Sequence, residues 1–420
     1  MPYIGRREFV VGGATVFTLA SLAKTEIGAL EKEKERKETI LCGVIGTGSH
    51  GRVLLKELMR MDGVEIVALC DIYQPNLERS LKGIGREVRS YSDHRQMLER
   101  EKDMQAVIIA TPTGTHVPIS IDSLQAGKHV YCEAPLANDI EDCKRMVKAA
   151  EASGKVFQVG YQRRFSPLYK HALKFIRVGA LGQPVQARAH YNRKDSMRRP
   201  VPDTKYERLL NWRLYRDTSG GLAVEFGSHQ LDVVNWFLGA TPISVVGNGG
   251  IDVWKDGREV CDNIHLLFEY PNGVKVTYTA TLGCSYERNY ELFLGTMGAM
   301  WFSKEQIGLW FKEPDAPELG WEIYARKEQL GDSLGIVLDP EASKYVAQLE
   351  SGFKPPEKQK PEFKNPFYIA LNEFFECIRE GKKPACGAKE ALQSTVTAIV
   401  ANMAIEKGER ITYRREWFEV

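Results

Sequence analysis

The chain has 420 residues, a formal net charge of +2 and an apolar share of 43%. That length can bury two separate cores. The balanced charge offers no basic patch for nucleic acid, and no apolar run is long enough to span a bilayer.

Arg6 and Arg7 open a mildly apolar segment that runs to Leu22, and small residues around Ser21 and Ala23 stand where a signal peptidase reads. A charged stretch follows to residue 38. The pattern resembles a twin-arginine export signal and linker over 1–38, which predicts a periplasmic or otherwise exported protein. A short amphipathic helix in a cytoplasmic protein is the alternative.

Residues 39–160 alternate strands and helices. Strands are predicted at 40–45, 64–70, 106–110, 129–132 and 156–159, with helices at 51–61, 92–100, 118–126 and 140–152. This is the grammar of a doubly wound α/β domain with a parallel sheet. Its first turn reads L-C-G-V-I-G-T-G-S-H-G-R at 41–52. Gly46 allows the tight turn, Gly48 lets backbone amides approach a diphosphate, and Gly51 lets the helix pack close to the sheet. Ser49 and His50 begin that helix. Asp71 closes the second strand, where a carboxylate accepts hydrogen bonds from a ribose diol. Asp71 repels a 2′-phosphate, and Ile72 and Tyr73 supply no arginine to hold one, so the predicted cofactor is NAD.

From residue 161 to 420 the pattern changes to an α+β domain with an open, largely antiparallel sheet. A helix is predicted at 167–178, strands at 185–191, 243–252, 263–270, 274–282, 290–295 and 299–301, and closing helices at 367–379 and 389–407. Residues 303–362 read as irregular loops, with Trp301, Trp310 and Trp321 at or near their start. The eight cysteines lack a CxxC pair or a His/Cys cluster at ligand spacing, so no metal is expected. Cys42, Cys70 and Cys132 end apolar runs and read as buried free thiols.

Five stretches, in order and spacing, resemble the Gfo/Idh/MocA oxidoreductases. They are the glycine turn, A-T-P-T-G-T-H at 110–116, G-K-H-V-Y-C-E-A-P-L at 127–136, G-G-L-A-V-E-F-G-S-H-Q-L-D at 220–232 and F-F-E-C-I-R-E-G-K-K-P at 374–384. The resemblance implies a sugar or cyclitol substrate held between nicotinamide and the C-terminal sheet, and a homodimer or homotetramer built through that sheet. It places Thr111, Pro112, His116, Glu133, Ala134 and Gln162 at the cofactor, with a cis Ala134–Pro135 bond. Two positions depart from the family pattern. Ala134 stands where the family's E-K-P has the lysine that supports a developing alkoxide. Glu225 stands where the family has aspartate, four residues before His229.

His229 is the candidate base, because neutral imidazole titrates near working pH. Glu225, at i and i+4 on one helix face, is expected to orient it. Tyr161 is a further acid or base, and Lys194 a replacement cation. Arg163 and Arg164 follow the last strand of the first domain and are expected to grip substrate. Tyr191, Trp212 and Arg213 are further substrate contacts. Three functions compete: a dehydrogenase that releases reduced cofactor, an enzyme that keeps its nucleotide and returns the hydride, and a non-catalytic scaffold. Export disfavours the first, because free NADH is not recycled outside the cytoplasm. The second class includes relatives that cleave glycosides by transient oxidation, elimination, hydration and re-reduction.

Overall fold

Ile40–Ile45 (β1) and Val64–Cys70 (β2) become adjacent parallel strands, and β1 is buried at every position but Leu41. A computed structural model describes residues 38–303, 307–318, 322, 325–340 and 365–420. The expected export segment, apart from Glu38, and Trp321 lie outside the described residues. Ser49–Leu58 (α1) joins β1 to β2. Gln74–Ile84 (α2), Arg89–Tyr91 (β3), His94–Arg100 (α3), Ala106–Ile109 (β4), His116–Gln125 (α4), His129–Cys132 (β5), Ile140–Ser153 (α5) and Phe157–Val159 (β6) complete the first half. Its sheet runs parallel in the order β3-β2-β1-β4-β5-β6. The order reverses between β1 and β4, so a crevice opens beyond their C-terminal ends, where such sheets bind ligands. Cys42, Cys70 and Cys132 are free and buried, and burial pushes the Cys42 thiol up to about 12.

The second half begins with Pro167–Arg177 (α6) and Pro184–Asn192 (β7). A wide π turn over Ala223–Gly227 leads directly into Ser228–Leu238 (α7). Then come Ser244–Gly250 (β8), Asn263–Glu269 (β9), Lys275–Thr281 (β10), Asn289–Gly295 (β11) and Gly298–Ser303 (β12). The expected loop region after residue 303 is corrected by Ile307–Lys312 (β13), Lys327–Leu330 (β14) and Ser333–Val337 (β15), which extend the sheet. Trp310 on β13 is buried in the core. Pro366–Glu380 (α8), Ala388–Lys407 (α9) and Ile411–Thr412 (β16) end the chain. The second sheet has the order β14-β15-β13-β12-β11-β7-β10-β9-β8-β16. Its pairings are antiparallel except β7 with β10. Along β9, Ile264, Leu266 and Phe268 face the core while His265 and Leu267 face outward, as strand alternation requires. Among the described residues no helix is long and apolar enough to cross a membrane.

The two halves meet around α9. Its buried alanines let neighbours approach closely, and its hydroxyls reach both sides. Thr395 accepts from the Leu136 N–H at 3.3 Å and bonds the Tyr161 hydroxyl at 3.0 Å. Asn235 donates to Thr397 at 3.1 Å.

Arg163 and Arg164 also serve this junction, which corrects their expected role as substrate grips. Arg164 donates from Nε to both Asp232 oxygens at 2.9 Å, and Ser394 donates to the same carboxylate. Burial works against the Arg164 charge, but Asp232 outweighs it and holds the guanidinium more firmly protonated. Arg163 Nε lies 3.2 Å from Glu291, which also accepts from the Tyr169 hydroxyl at 2.7 Å. Both guanidinium groups are engaged inside the protein, so neither is left to face a ligand. Removing one member of a buried pair strands the other. Asp232→Ala is therefore expected to lower unfolding free energy by about 3–5 kcal/mol in urea titrations. Arg415→Ala, at the exposed pair with Glu419, is expected to leave the midpoint unchanged. A wild-type midpoint for the Asp232 variant would refute the assignment.

Candidate active site

β1 ends at Ile45, and the chain must reverse at once to enter α1. Gly46 does so at φ +89°, and a Cβ there would lie 2.6 Å from the Ala110 carbonyl oxygen. A Cβ on Gly51 would lie 1.9 Å from the Gly46 carbonyl oxygen, so the helix approaches the strand only without a side chain. Gly48 differs. The nearest atom to a Cβ there is Asn76 Nδ2 at 3.8 Å, so nothing in the chain demands glycine. That open space faces the first turn of α1, whose N–H groups have no side-chain cap. Uncapped amides beside open space suit an anion. Asp71 sits next to the turn, accepting from the Thr47 N–H at 2.8 Å, the Thr47 hydroxyl at 3.1 Å and the Tyr73 N–H at 2.8 Å. These residues fit NAD, with Gly48, Ser49 and the α1 terminus toward the diphosphate and Asp71 toward the adenosine ribose.

The second part of the site is a buried carboxylate. β5 hands Glu133 to the crevice, where it accepts from the Tyr131 hydroxyl at 3.1 Å and the Gln162 amide at 3.0 and 3.3 Å. His50 Nε2 lies 3.2 Å away. Burial opposes the Glu133 charge, but His50 first, with help from His229 and Gln162, holds its carboxyl below the usual range. Burial likewise opposes protonation of His50, and Glu133 reverses that and raises its pKa. The His50–Glu133 pair joins the glycine-turn helix to the end of β5. The next bond, Ala134–Pro135, is cis. His116 does not line the pocket as expected. It is 1% exposed, with Nδ1 2.8 Å from the Pro135 carbonyl oxygen and Nε2 3.0 Å from that of Thr111. It staples the loop bearing Thr111 and Pro112 to the one bearing Ala134, and burial lowers its pKa.

The third part comes from the second half. Glu225 lies in the π turn, where bonds run i→i+5. The α-helical stripe that would align i with i+4 is therefore lost. Its carboxylate accepts from the Thr113 hydroxyl at 3.0 Å and the Gly220 N–H at 3.4 Å. The expected orienting role toward His229 is replaced by a bond across to the first half. Burial raises the Glu225 pKa, with Arg213 opposing. His229, half-buried in the first turn of α7, sets its ring edge-on to Tyr161 at 5.3 Å between centroids. Tyr161 is corrected as an acid or base. It is buried, its hydroxyl bonds Thr395, and burial pushes its phenol far up. It supports His229 instead.

Lys194 is exposed on the loop after β7 and is no part of this buried cluster. The cation beside that cluster is the half-buried Arg213, whose guanidinium lies 4.1 Å over the Trp212 ring. Burial lowers its pKa, and Glu225 opposes that shift. Among the described residues Arg213 forms no hydrogen bond or ion pair, so its donors are available to a ligand. Tyr191 stacks on Phe226 at 4.7 Å beside it. The sequence marks these residues one by one, but not the Thr113–Glu225 bond nor Arg199, whose guanidinium reaches Ser49. No local pattern marks contacts over such separations.

Comparison with known proteins gives consistent matches. A model described as an oxidoreductase family with an NAD-binding Rossmann fold matches residues 40–161. One described as the GFO/IDH/MocA C-terminal domain matches residues 169–300. Inositol 2-dehydrogenase of Salmonella paratyphi B is 30% identical over 203 residues, 48% of this chain and 55% of that protein. The chain thus spans little more than half the length of that relative. The 2,7-anhydro-N-acetylneuraminate hydratase of Mediterraneibacter gnavus is 25% identical over 322 residues, 76% of this chain and 82% of the hydratase. The aldose–aldose oxidoreductase of Caulobacter crescentus, solved with glycerol, superposes with a TM-score of 0.68 at 21% identity, covering 90% of this chain and 100% of that one.

The His50–Glu133 pair yields a pH prediction. His50 is raised, so its contribution is complete below the pKa of an unfolded histidine and fades as pH rises through the raised value. Glu133 is lowered, so its contribution is complete above the unfolded carboxyl pKa and fades as pH falls through the depressed value. The pair therefore stabilises most between those two titrations. In Glu133→Gln the His50 titration followed by NMR is expected to move down. An unmoved titration would show that Glu133 does not hold the proton.

Proposed function

Because the chain belongs to the Gfo/Idh/MocA oxidoreductase family, we propose that it uses NAD at a secondary alcohol of a sugar or polyol, and that the nucleotide stays bound and returns its hydride within one turnover. The reading rests on one juxtaposition: the glycine turn and the Glu133 pair border the crevice that His229 and Arg213 approach from the other half. When bound, NAD supplies the hydride acceptor and, reduced, the donor. His229 takes the hydroxyl proton. Glu133, kept charged nearby, stabilises the imidazolium that results. Arg213 answers for the lysine absent at Ala134. A guanidinium stays protonated, so it donates hydrogen bonds to a negative oxygen without joining the proton transfer. Trp212 and Tyr191 offer flat faces to a sugar ring.

Three considerations favour a returned hydride over released NADH. Ala134 removes the usual aid to net alcohol oxidation. The Arg6–Arg7 segment favours export, where free NADH is not recycled. The names of two similar proteins, an aldose–aldose oxidoreductase and a hydratase, describe conversions without net oxidation. A second reading, glycoside cleavage, draws on Glu225. Burial favours its protonated form, which suits an acid for a departing aglycone.

His229→Ala is expected to lower kcat by about 10²–10⁴-fold while NAD affinity measured by calorimetry stays within error. An unchanged rate removes His229 from the mechanism. Incubation with aryl glycosides and no added cofactor separates the two readings. Aglycone release supports cleavage, and exchange between two free sugars supports simple hydride return. Steady NADH formation with added NAD and one sugar contradicts both.

A further inference from the structure

We propose that Arg199, a residue of the second half, is a ligand for the diphosphate of the dinucleotide, and that the coil bearing it straps the nucleotide into the glycine turn. The inference rests on nucleotide binding at that turn. Residues 193–201 form neither helix nor strand, yet they are pinned along their length. Arg198 donates to the Glu207 carboxylate at 2.5 Å and to the Asp256 carbonyl at 2.6 Å. Arg258, whose side chain is buried, donates to the Ser196 carbonyl. Asn211 is 2% exposed and grips residue 199 from both sides, accepting its N–H at 2.7 Å and donating to its carbonyl at 3.1 Å. Such anchoring fixes the backbone of Arg199 while its side chain remains exposed.

That side chain crosses to α1, where Nη2 lies 2.9 Å from Ser49 Oγ. A second contact crosses nearby. The Tyr206 ring meets the ring of Tyr73, two residues beyond Asp71, edge-on at 5.1 Å. The coil thus touches the first half at the helix terminus through Arg199, and the short turn that follows it, Thr204–Tyr206, touches beside the ribose acid. Charge points the same way. Arg52 and Arg79 lie within electrostatic reach of Arg199 or one another, with Asp71 as the opposing carboxylate. Among the described residues none of the three arginines forms an ion pair. Three cations against one carboxylate leave an excess that a diphosphate neutralises. A serine hydroxyl is a weak partner for a guanidinium, whereas phosphate oxygens accept forked, charge-assisted bonds from it.

Calorimetry on the full chain, first freed of any nucleotide it retains, tests this with NAD, ADP-ribose and adenosine. Arg199→Gln is expected to weaken ADP-ribose binding by about 10- to 100-fold, speed NAD release and flatten its salt dependence. Adenosine, which has no phosphate, should bind wild type and variant alike, and the melting midpoint should not move. Arg199→Lys keeps the charge without the fork and should lose less. Asn211→Ala should weaken ADP-ribose in the wild-type background and add nothing to Arg199→Gln. If Arg199→Gln binds ADP-ribose as tightly as wild type, or loses adenosine equally, the strap is refuted while nucleotide binding stands. If wild type binds no NAD, the nucleotide reading itself fails and the strap with it.

Discussion

A single buried carboxylate organises this crevice. An unpaired charge at that depth costs several kcal/mol, so Glu133 requires donors, and they come from separate parts of the chain. His50 comes from the glycine-turn helix, Tyr131 from the same strand and Gln162 from the segment that leaves the first sheet. Satisfying Glu133 therefore fixes the helix start, the strand end and the exit toward the second half relative to one another. It also places a lasting negative charge within electrostatic reach of His229. The arrangement that satisfies the fold thus sets a carboxylate near His229.

Polar groups at the junction fall into two sets. Arg163, Arg164, Tyr161 and His116 all lie near the crevice in sequence, but each is buried with partners inside the protein. The first three tie the halves together, while His116 joins two loops of the first half. Arg213 and Arg199 are different, because among the described residues neither forms an ion pair with a carboxylate. One lies over Trp212 near Glu225 and the other at the helix terminus. Ala134 stands where the family pattern has a lysine, and under the proposed function these guanidinium groups would meet anionic oxygens in its place. Such a change lowers the capacity for proton exchange but preserves charge stabilisation.

The first half was legible because its signals are local. Apolar runs set β1, β2 and β5 to the residue, and the glycine spacing located the turn before α1. The ladder beyond β12 was not legible. Its outer strand, Lys327–Leu330, is short, charged and mostly exposed, so the alternation that marks a half-buried strand is absent. Site residues were recognisable by type and motif, but not by partner. Asp232 lies 68 residues beyond Arg164, and Ser49 lies 150 residues from Arg199. Only the fold decides whether such a charge is neutralised or left for a ligand. The position of Glu225 was hidden for a local reason. Motif spacing assumed an α-helix, and the π turn altered which way the carboxylate faces.

Hydride return of the proposed kind requires a nucleotide that the protein keeps. Protein purified without added cofactor should release near-stoichiometric NAD(H) on acid denaturation, and mass spectrometry of that supernatant measures it directly. Protein that emerges empty and exchanges freely with added NAD would contradict a retained cofactor and the returned hydride built on it.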